Sequence, residues 1–267
     1  MIRVLVSGAS GRMGREVVKA IVNDFDTLLV GAVDHHNIGR DAGELAGMDA
    51  QSIIIESDLT TALRESKADV AVDFSVPSAV RANIQTMLDN GVCPVVGTTG
   101  LGENDLAEID AAAKTANVPV FIAPNFAIGA VLMMRFAQEA AKLFDSAEII
   151  EYHHDQKVDA PSGTAFKTAL LMREARETDC ARIGGDAESE GSTAPHSRGG
   201  NIGGVSIHSV RLAGYLAHQE VIFGMAGQTL SIRHDTITRE CYMPGVLLAV
   251  KRVRETSGLT YGLEKIL

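Results

Sequence analysis

The opening stretch, MIRVLVSGASGRMG, restricts the fold more than any other part of the chain. Ile2, Val4, Leu5 and Val6 form an apolar run of strand length, and Gly8, Gly11 and Gly14 follow it at three-residue spacing. Beyond them Met13, Val17, Val18 and Ile21 recur with helical period, and TLLVGAVD (27–34) is a second apolar strand. Strand, glycine turn, helix and strand make a β-α-β unit, the connection that parallel strands require.

The alternation continues with strands at 70–75, 93–99 and 118–124 and helices from Pro77 to about Asn90 and from about Glu103 to Thr115. At this pitch the expected architecture is α/β, a Rossmann-type doubly wound parallel sheet covered by helices on both faces. A long apolar helix over 128–144 leads to a strand at 147–154 and a helix opening at PSGTAFKTALLMREA. The texture then changes. Residues 186–204 are Gly- and Ser-rich without period and read as a long loop, and VSIHSVRL, HQEVIFG and QTLSIRHD read as consecutive strands. This second region is expected to be an α+β domain with an antiparallel or mixed sheet. The expected division is 1–127 and 128–235, with a terminal helix over 236–267 that fits on either domain.

Composition excludes several partners. With 34 acidic against 24 basic residues the formal charge is −10, so no basic field exists to attract nucleic acid or anionic lipid. No apolar run approaches the roughly 18 residues that cross a bilayer, and the N-terminal stretch does not read as a signal peptide. Cys93, Cys180 and Cys241 are widely spaced, odd in number and in no CxxC pair, which suits reduced thiols in a cytoplasmic protein.

The glycine loop is the first candidate site. Gly8 permits a tight turn out of the strand, Gly11 allows close approach of a pyrophosphate, and Gly14 lets the helix lie against the sheet. Free N–H groups at the helix start and the cation of Arg12 suit an anion. A turn chosen only for strand-helix packing has the same spacing, but Asp34 at the end of the second strand is placed to accept hydrogen bonds from a ribose. An acid there favours NADH over NADPH. His35 and His36 follow it, either as partial cations toward a 2′-phosphate or as surface residues without a role. Gly97, Thr98 and Thr99 in GTTG, and Asn125 in APNF, stand at strand carboxyl ends, where open α/β sheets bind ligands, and suit a nicotinamide riboside. DFSVPSA (73–79) is a similar turn.

The segment EYHHDQKVDAPSGTA (151–165) carries the remaining chemistry. Adjacent strand residues point to opposite faces, so His153 and His154 do not readily share a metal ion, and none is expected. A histidine near pKa ~6.5 and a lysine near ~10.4 supply a reversible donor and a lasting cation. Ser162, Gly163 and Thr164 open a helix whose unpaired N–H groups form a carboxylate cradle. The segment therefore reads as the binder of a small dicarboxylate, with His153 or Lys157 giving a proton; a solvated loop before a capped helix is the plainer alternative.

GASGRMG, DFS, GTTG, APNF with IGA, and above all HHDQKVDAPSGTA together resemble the 4-hydroxy-tetrahydrodipicolinate reductase family, also called dihydrodipicolinate reductase, over nearly the full chain. The resemblance implies NADH or NADPH held by Gly8, Ala9, Ser10, Gly11, Arg12, Met13, Asp34, Gly97, Thr98, Thr99, Ala123, Pro124, Asn125 and Phe126. It implies that His153 and Lys157 act in proton transfer, and that His154, Ser162, Gly163 and Thr164 contact substrate. It also implies that the C-terminal helix completes the first domain, that the second domain forms a homotetramer through its open sheet, and that domain closure brings hydride donor and acceptor together. Many members carry arginine where this chain has His35, so NADH use at least equal to NADPH is expected.

Overall fold

The structure, a computed structural model, describes residues 1–176 and 197–267. Strand β1 (Ile2–Ser7) is buried from Val4 to Ser7, the reason its sequence is a continuous apolar run. Helix α1 (Arg12–Asn23) buries Gly14, Val17, Val18 and Ile21, and β2 (Thr27–Val33) follows. Then come α2 (Ala42–Leu45), β3 (Ile55–Glu56), α3 (Leu59–Ser66), β4 (Val70–Asp73), α4 (Pro77–Asp89), β5 (Cys93–Val96), α5 (Glu103–Ala116) and β6 (Val120–Ile122).

Helix α6 (Ile128–Ala141) begins a second part: β7 (Ser146–His153), α7 (Gly163–Glu174), β8 (Gly200–Ile202), β9 (Val205–Arg211), β10 (Ala217–Met225) and β11 (Gln228–Thr236). After a 3₁₀ turn at Arg239–Tyr242 the chain ends in α8 (Met243–Arg252) and β12 (Leu259–Tyr261). Two compact units result, Met1–Ile128 with Arg239–Leu267, and Gly129–Thr238.

The first unit holds a parallel sheet in the order β12-β6-β5-β4-β1-β2-β3. The order turns at β1: β2 and β3 build outward on one side, β4, β5 and β6 on the other. Such a switch point opens a crevice at the carboxyl ends of the strands. The C-terminal segment belongs to this unit. Gly245 of α8 lies so close to the Phe126 carbonyl that a Cβ would stand 2.1 Å from its oxygen, and Lys251 Nζ reaches the carboxylates of Asp24 and Asp26 at 2.8 Å each. The segment is not helical throughout, because β12 pairs with β6.

The second unit holds a mixed sheet in the order β11-β10-β7-β9-β8. Although β9 and β10 are consecutive, they are not neighbours; β7 lies between them, parallel to β9 and antiparallel to β10. Strand β7 alternates, with Ala147, Ile149 and Glu151 buried and the residues between them half-buried. The buried face is covered by helices: Phe144, just after α6, packs on Phe223 at 5.6 Å between ring centroids, and Thr168 of α7 accepts a hydrogen bond from Gln219 at 2.9 Å. The other face carries Tyr152, His208, His218, Glu220 and Arg233 without a helix over it among the described residues.

Two expectations need correction. The apolar helix stops at Ala141, before Phe144. Of the loop expected over 186–204, residues 186–196 lie outside the described residues, and 200–202 form β8, an edge strand paired with β9 in a turn made at Gly203 and Gly204. Three residues are too few to show a period.

Candidate active site

The glycine loop stands at the switch point. Gly8 has φ +80°, in the left-handed region, and a Cβ on it would lie 2.5 Å from the Phe74 carbonyl oxygen. A Cβ on Gly14 would lie 2.0 Å from the Gly8 carbonyl oxygen, so the helix sits against the turn only because Gly14 has no side chain. Gly11 is the exposed N-cap of α1 and provides no side-chain cap, which leaves first-turn N–H groups available to an anion. Arg12 is exposed beside them; Met13 is half-buried, and Ala9 and Ser10 are buried.

Asp34 is tied to this loop. Its carboxylate accepts from Ser10 N–H at 2.9 Å and from His36 N–H at 2.9 Å, while Ser10 Oγ donates to the His36 carbonyl at 2.8 Å. The acid thus shapes the loop as well as standing where a ribose would bind, and His35 is exposed next to it. Donors at the helix start and an acid at the neighbouring strand end are the set a dinucleotide needs, so the residues present fit one.

Asp73, at the end of β4, organises the other strand ends. Its buried carboxylate accepts from Ser7 Oγ (2.9 Å), Asn83 Nδ2 (2.8 Å), Ser75 N–H (3.1 Å), Ser75 Oγ (2.7 Å) and Thr98 Oγ1 (2.7 Å). One carboxylate therefore sets the positions of turns after three strands. Thr98 is held inward by this bond and Thr99 is exposed. Gly97 carries the Phe74 ring, whose edge would be 2.1 Å from an added Cβ. Ala123 and Phe126 are buried, and Phe126 packs on Phe74 and Phe121 at 5.8 and 6.0 Å, so both can meet a ligand only through their backbone. Pro124 is exposed, and Asn125 Oδ1 accepts from Ala127 N–H at 2.9 Å.

In the second unit Glu151 and His153 share one face of β7, because residues two apart on a strand point the same way. His153 Nδ1 meets Glu151 Oε2 at 2.5 Å. Arg211, opposite His153 on β9, donates from both terminal nitrogens to Glu151 at 2.8 Å each and from Nη2 to the Asp159 carbonyl at 2.6 Å. The Ser162 N–H donates to Glu151 Oε1 at 3.1 Å, and Ser162 Oγ caps α7 by accepting from Ala165 N–H at 3.2 Å. Gly163 and Thr164 occupy the first turn of α7, exposed and half-exposed. Lys157 Nζ pairs with Asp159 Oδ1 at 2.7 Å. His154 follows the end of β7, and its carbonyl accepts from Lys157 N–H at 3.2 Å.

Burial would raise the Glu151 pKa, but hydrogen bonds from His153, Arg211 and Ser209 outweigh it and bring it down to about 2. The carboxylate is therefore a fixed negative charge inside the unit. The Asp159 carboxyl is also held below its ordinary range, first by its bond from Lys157.

Sequence reasoning missed Glu151, Arg211 and Asp73. Glu151 carried a signal, since a strand acid two positions before a histidine must share its face. Arg211 carried none, because the parallel pairing of β7 with β9 joins residues 60 apart in the chain.

A switch-point glycine loop with its acid, joined to a second unit bearing a histidine-lysine segment before a capped helix, defines an oxidoreductase of the Rossmann class that uses a nicotinamide cofactor. The dihydrodipicolinate reductase N-terminal model matches residues 2–126 and the C-terminal model residues 129–267. The chain belongs to the dihydrodipicolinate reductase family. It is 53% identical over 267 residues to 4-hydroxy-tetrahydrodipicolinate reductase of Desulfitobacterium hafniense, covering 100% of this chain and 98% of that one. It is 48% identical over 266 residues to the enzyme of the same name from Moorella thermoacetica, again covering 100% and 98%. Among solved structures, dipicolinate-bound dihydrodipicolinate reductase from Paenisporosarcina sp. TG-14 matches with TM-score 0.87 and 42% identity over 100% of both chains. GenD2 of gentamicin A biosynthesis, solved with NAD, shares the fold at TM-score 0.65 and 15% identity, covering 99% of this chain and 90% of that one.

Proposed function

We propose that His153 and Lys157 carry proton transfer in a reaction whose dicarboxylate substrate is held by His154 and by Ser162, Gly163 and Thr164. The reaction is the one the relatives are named for, reduction of 4-hydroxy-tetrahydrodipicolinate to tetrahydrodipicolinate with loss of water, a step of lysine and diaminopimelate biosynthesis. The supporting observation is that His153, the Lys157 loop and the first turn of α7 are all tied, directly or through Arg211, to one buried carboxylate.

A bound nicotinamide supplies the hydride. Gly8 to Met13, Asp34, Gly97 to Thr99 and Ala123 to Phe126 are the residues that would hold the cofactor in the first unit. In the second unit the free N–H groups at the start of α7 take one carboxylate of the substrate, with the partial positive charge of the helix end behind them. His154 and Lys157 take the other. With Nδ1 against Glu151, His153 presents Nε2 as the ring nitrogen available to give or receive a proton, and the Lys157 ammonium offsets the negative charge that grows on the substrate as hydride adds.

The test is a coupled assay with the product of the preceding synthase, following loss of nicotinamide absorbance. His153→Ala and Lys157→Ala are each expected to lower kcat by about 10²-fold or more. Undiminished turnover in both would remove the assignment. Asp34, with His35 after it, supports NADH use at least equal to NADPH, and a much lower KM for NADPH would overturn that reading. The open face of the second sheet, with Tyr152, His218 and Arg233, is the proposed surface of a homotetramer, to be checked by light scattering. The proposed setting is the cytoplasm.

A further inference from the structure

The reading of His153 as a proton carrier leaves open what holds its ring, and the surroundings of Glu151 answer that. A neutral imidazole carries its proton on either nitrogen, and only one tautomer leaves Nε2 able to accept a proton. An ionised carboxylate accepts hydrogen bonds and donates none. Placed against Nδ1, it admits only the tautomer with hydrogen on Nδ1. Glu151 is fully enclosed, and each of its oxygens is engaged: Oε2 by His153 and Arg211 Nη1, Oε1 by Arg211 Nη2 and the Ser162 N–H. A paired carboxylate with four such bonds has little freedom to rotate, so the ring bound to it has little either.

We propose that Glu151, paired with Arg211, is a positioning residue that holds His153 in the Nδ1–H tautomer with Nε2 free. The proposal rests on the assignment of His153 to proton transfer. Arg211 has two parts in the arrangement. Its fork keeps the buried carboxylate paired, and its bond to the Asp159 carbonyl holds the loop that carries Lys157 beside the strand that carries His153. A cross-strand arginine and a helix N-cap thus converge on one carboxylate, and that carboxylate meets the imidazole. Glutamine at 151 would keep the shape and still accept from Ser162, but its amide can donate to Nδ1 and so stabilise the opposite tautomer.

The test combines imidazole ¹⁵N spectra of the full-length protein, labelled at histidine, with kinetics of Glu151→Gln. His153 is identified by the resonance lost in His153→Gln. With the ring neutral, the wild-type spectrum is expected to show hydrogen on Nδ1 and a bare Nε2. In Glu151→Gln the tautomer is expected to shift toward Nε2–H, with kcat lowered by about 10²–10⁴-fold and affinity for dipicolinate changed by less than about threefold. A wild-type ring with hydrogen on Nε2 overturns the proposal, and that measurement needs no variant to fold. A Glu151→Gln enzyme with kcat within about threefold of wild type, beside an inactive His153→Ala, overturns it too while leaving the proton-transfer assignment standing. Full activity in His153→Ala removes the assignment itself.

Discussion

At the scale of single residues, two positions in the glycine loop owe their identity to backbone contacts that exist before any ligand binds. Gly8 needs its positive φ, and Gly14 needs the absence of a Cβ beside the Gly8 carbonyl. The 2.0 Å separation that a Cβ would make is with backbone, which has nowhere to go without moving the turn or the helix. Gly14→Ala is therefore expected to cost about 1–3 kcal/mol of stability and to weaken nicotinamide binding, because it displaces the start of α1 from Gly8. Thermal denaturation and a fluorescence titration with NADH measure the two effects. An alanine variant equal to wild type in both would show that the loop yields more easily than its geometry implies. Spacing alone suggested this role for Gly14, since a helix leaving a strand at a tight turn must come close to it. The matching role of Asp73 was hidden, because its five donors come from residues 7, 75, 83 and 98, and their meeting is a property of the sheet order.

At the scale of elements, β7 is the middle strand of the second sheet, and its buried acid links it to β9 and to the start of α7. That linkage has a pH signature. The folded pKa of Glu151 is about 2 against an ordinary value of 4.5, so its contribution to stability is fully present above about pH 4.5 and is lost as pH falls from there toward 2. Glu151→Gln lacks the titrating group, so the gap in urea midpoint between wild type and variant is expected to narrow between about pH 5 and pH 3. A gap that stays constant would show that the carboxylate is not ionised in the way its partners indicate. Elements with a strong period were legible in the sequence: β1, α1, β2, β4, α4, β5, α5, β6, β7 and α7 lie where apolar spacing puts them, to within a few residues. Residues 35–69 were not, and the reason is length. Elements of four, two and eight residues, α2, β3 and α3, are too short for a period to show, and Asp41 binds their connections by accepting from the N–H groups of Gly43, Glu44, Gln51 and Ile53. The order of β9, β7 and β10 was illegible for another reason, since strand propensity says nothing about which strands pair.

At the scale of the whole molecule, the chain leaves the first unit after Ile128, builds the second, and returns at Arg239. The return completes a sheet and a core, because β12 covers the edge of β6 while Val246, Ala249, Val250, Val253 and Leu263 are fully buried. Removing residues 259–267 takes away β12 and Leu263 and uncovers the hydrogen-bonding edge of Val120–Ile122. The shortened chain is expected to lose NADH binding and to be cut rapidly within the first unit by a protease, as a time course on both chains would reveal; unchanged resistance would show that the parallel sheet is self-sufficient without its seventh strand. The same return has a consequence for how the protein is made. A ribosome delivers six of the seven parallel strands first, then the whole of the second unit, and only at the end the segment that seals the first. The first unit must therefore wait, with the β6 edge open, while the second is being synthesised and can already fold. Nascent chains arrested before β12 emerges are expected to resist protease in the second unit and not in the first, an order of maturation opposite to the order of translation.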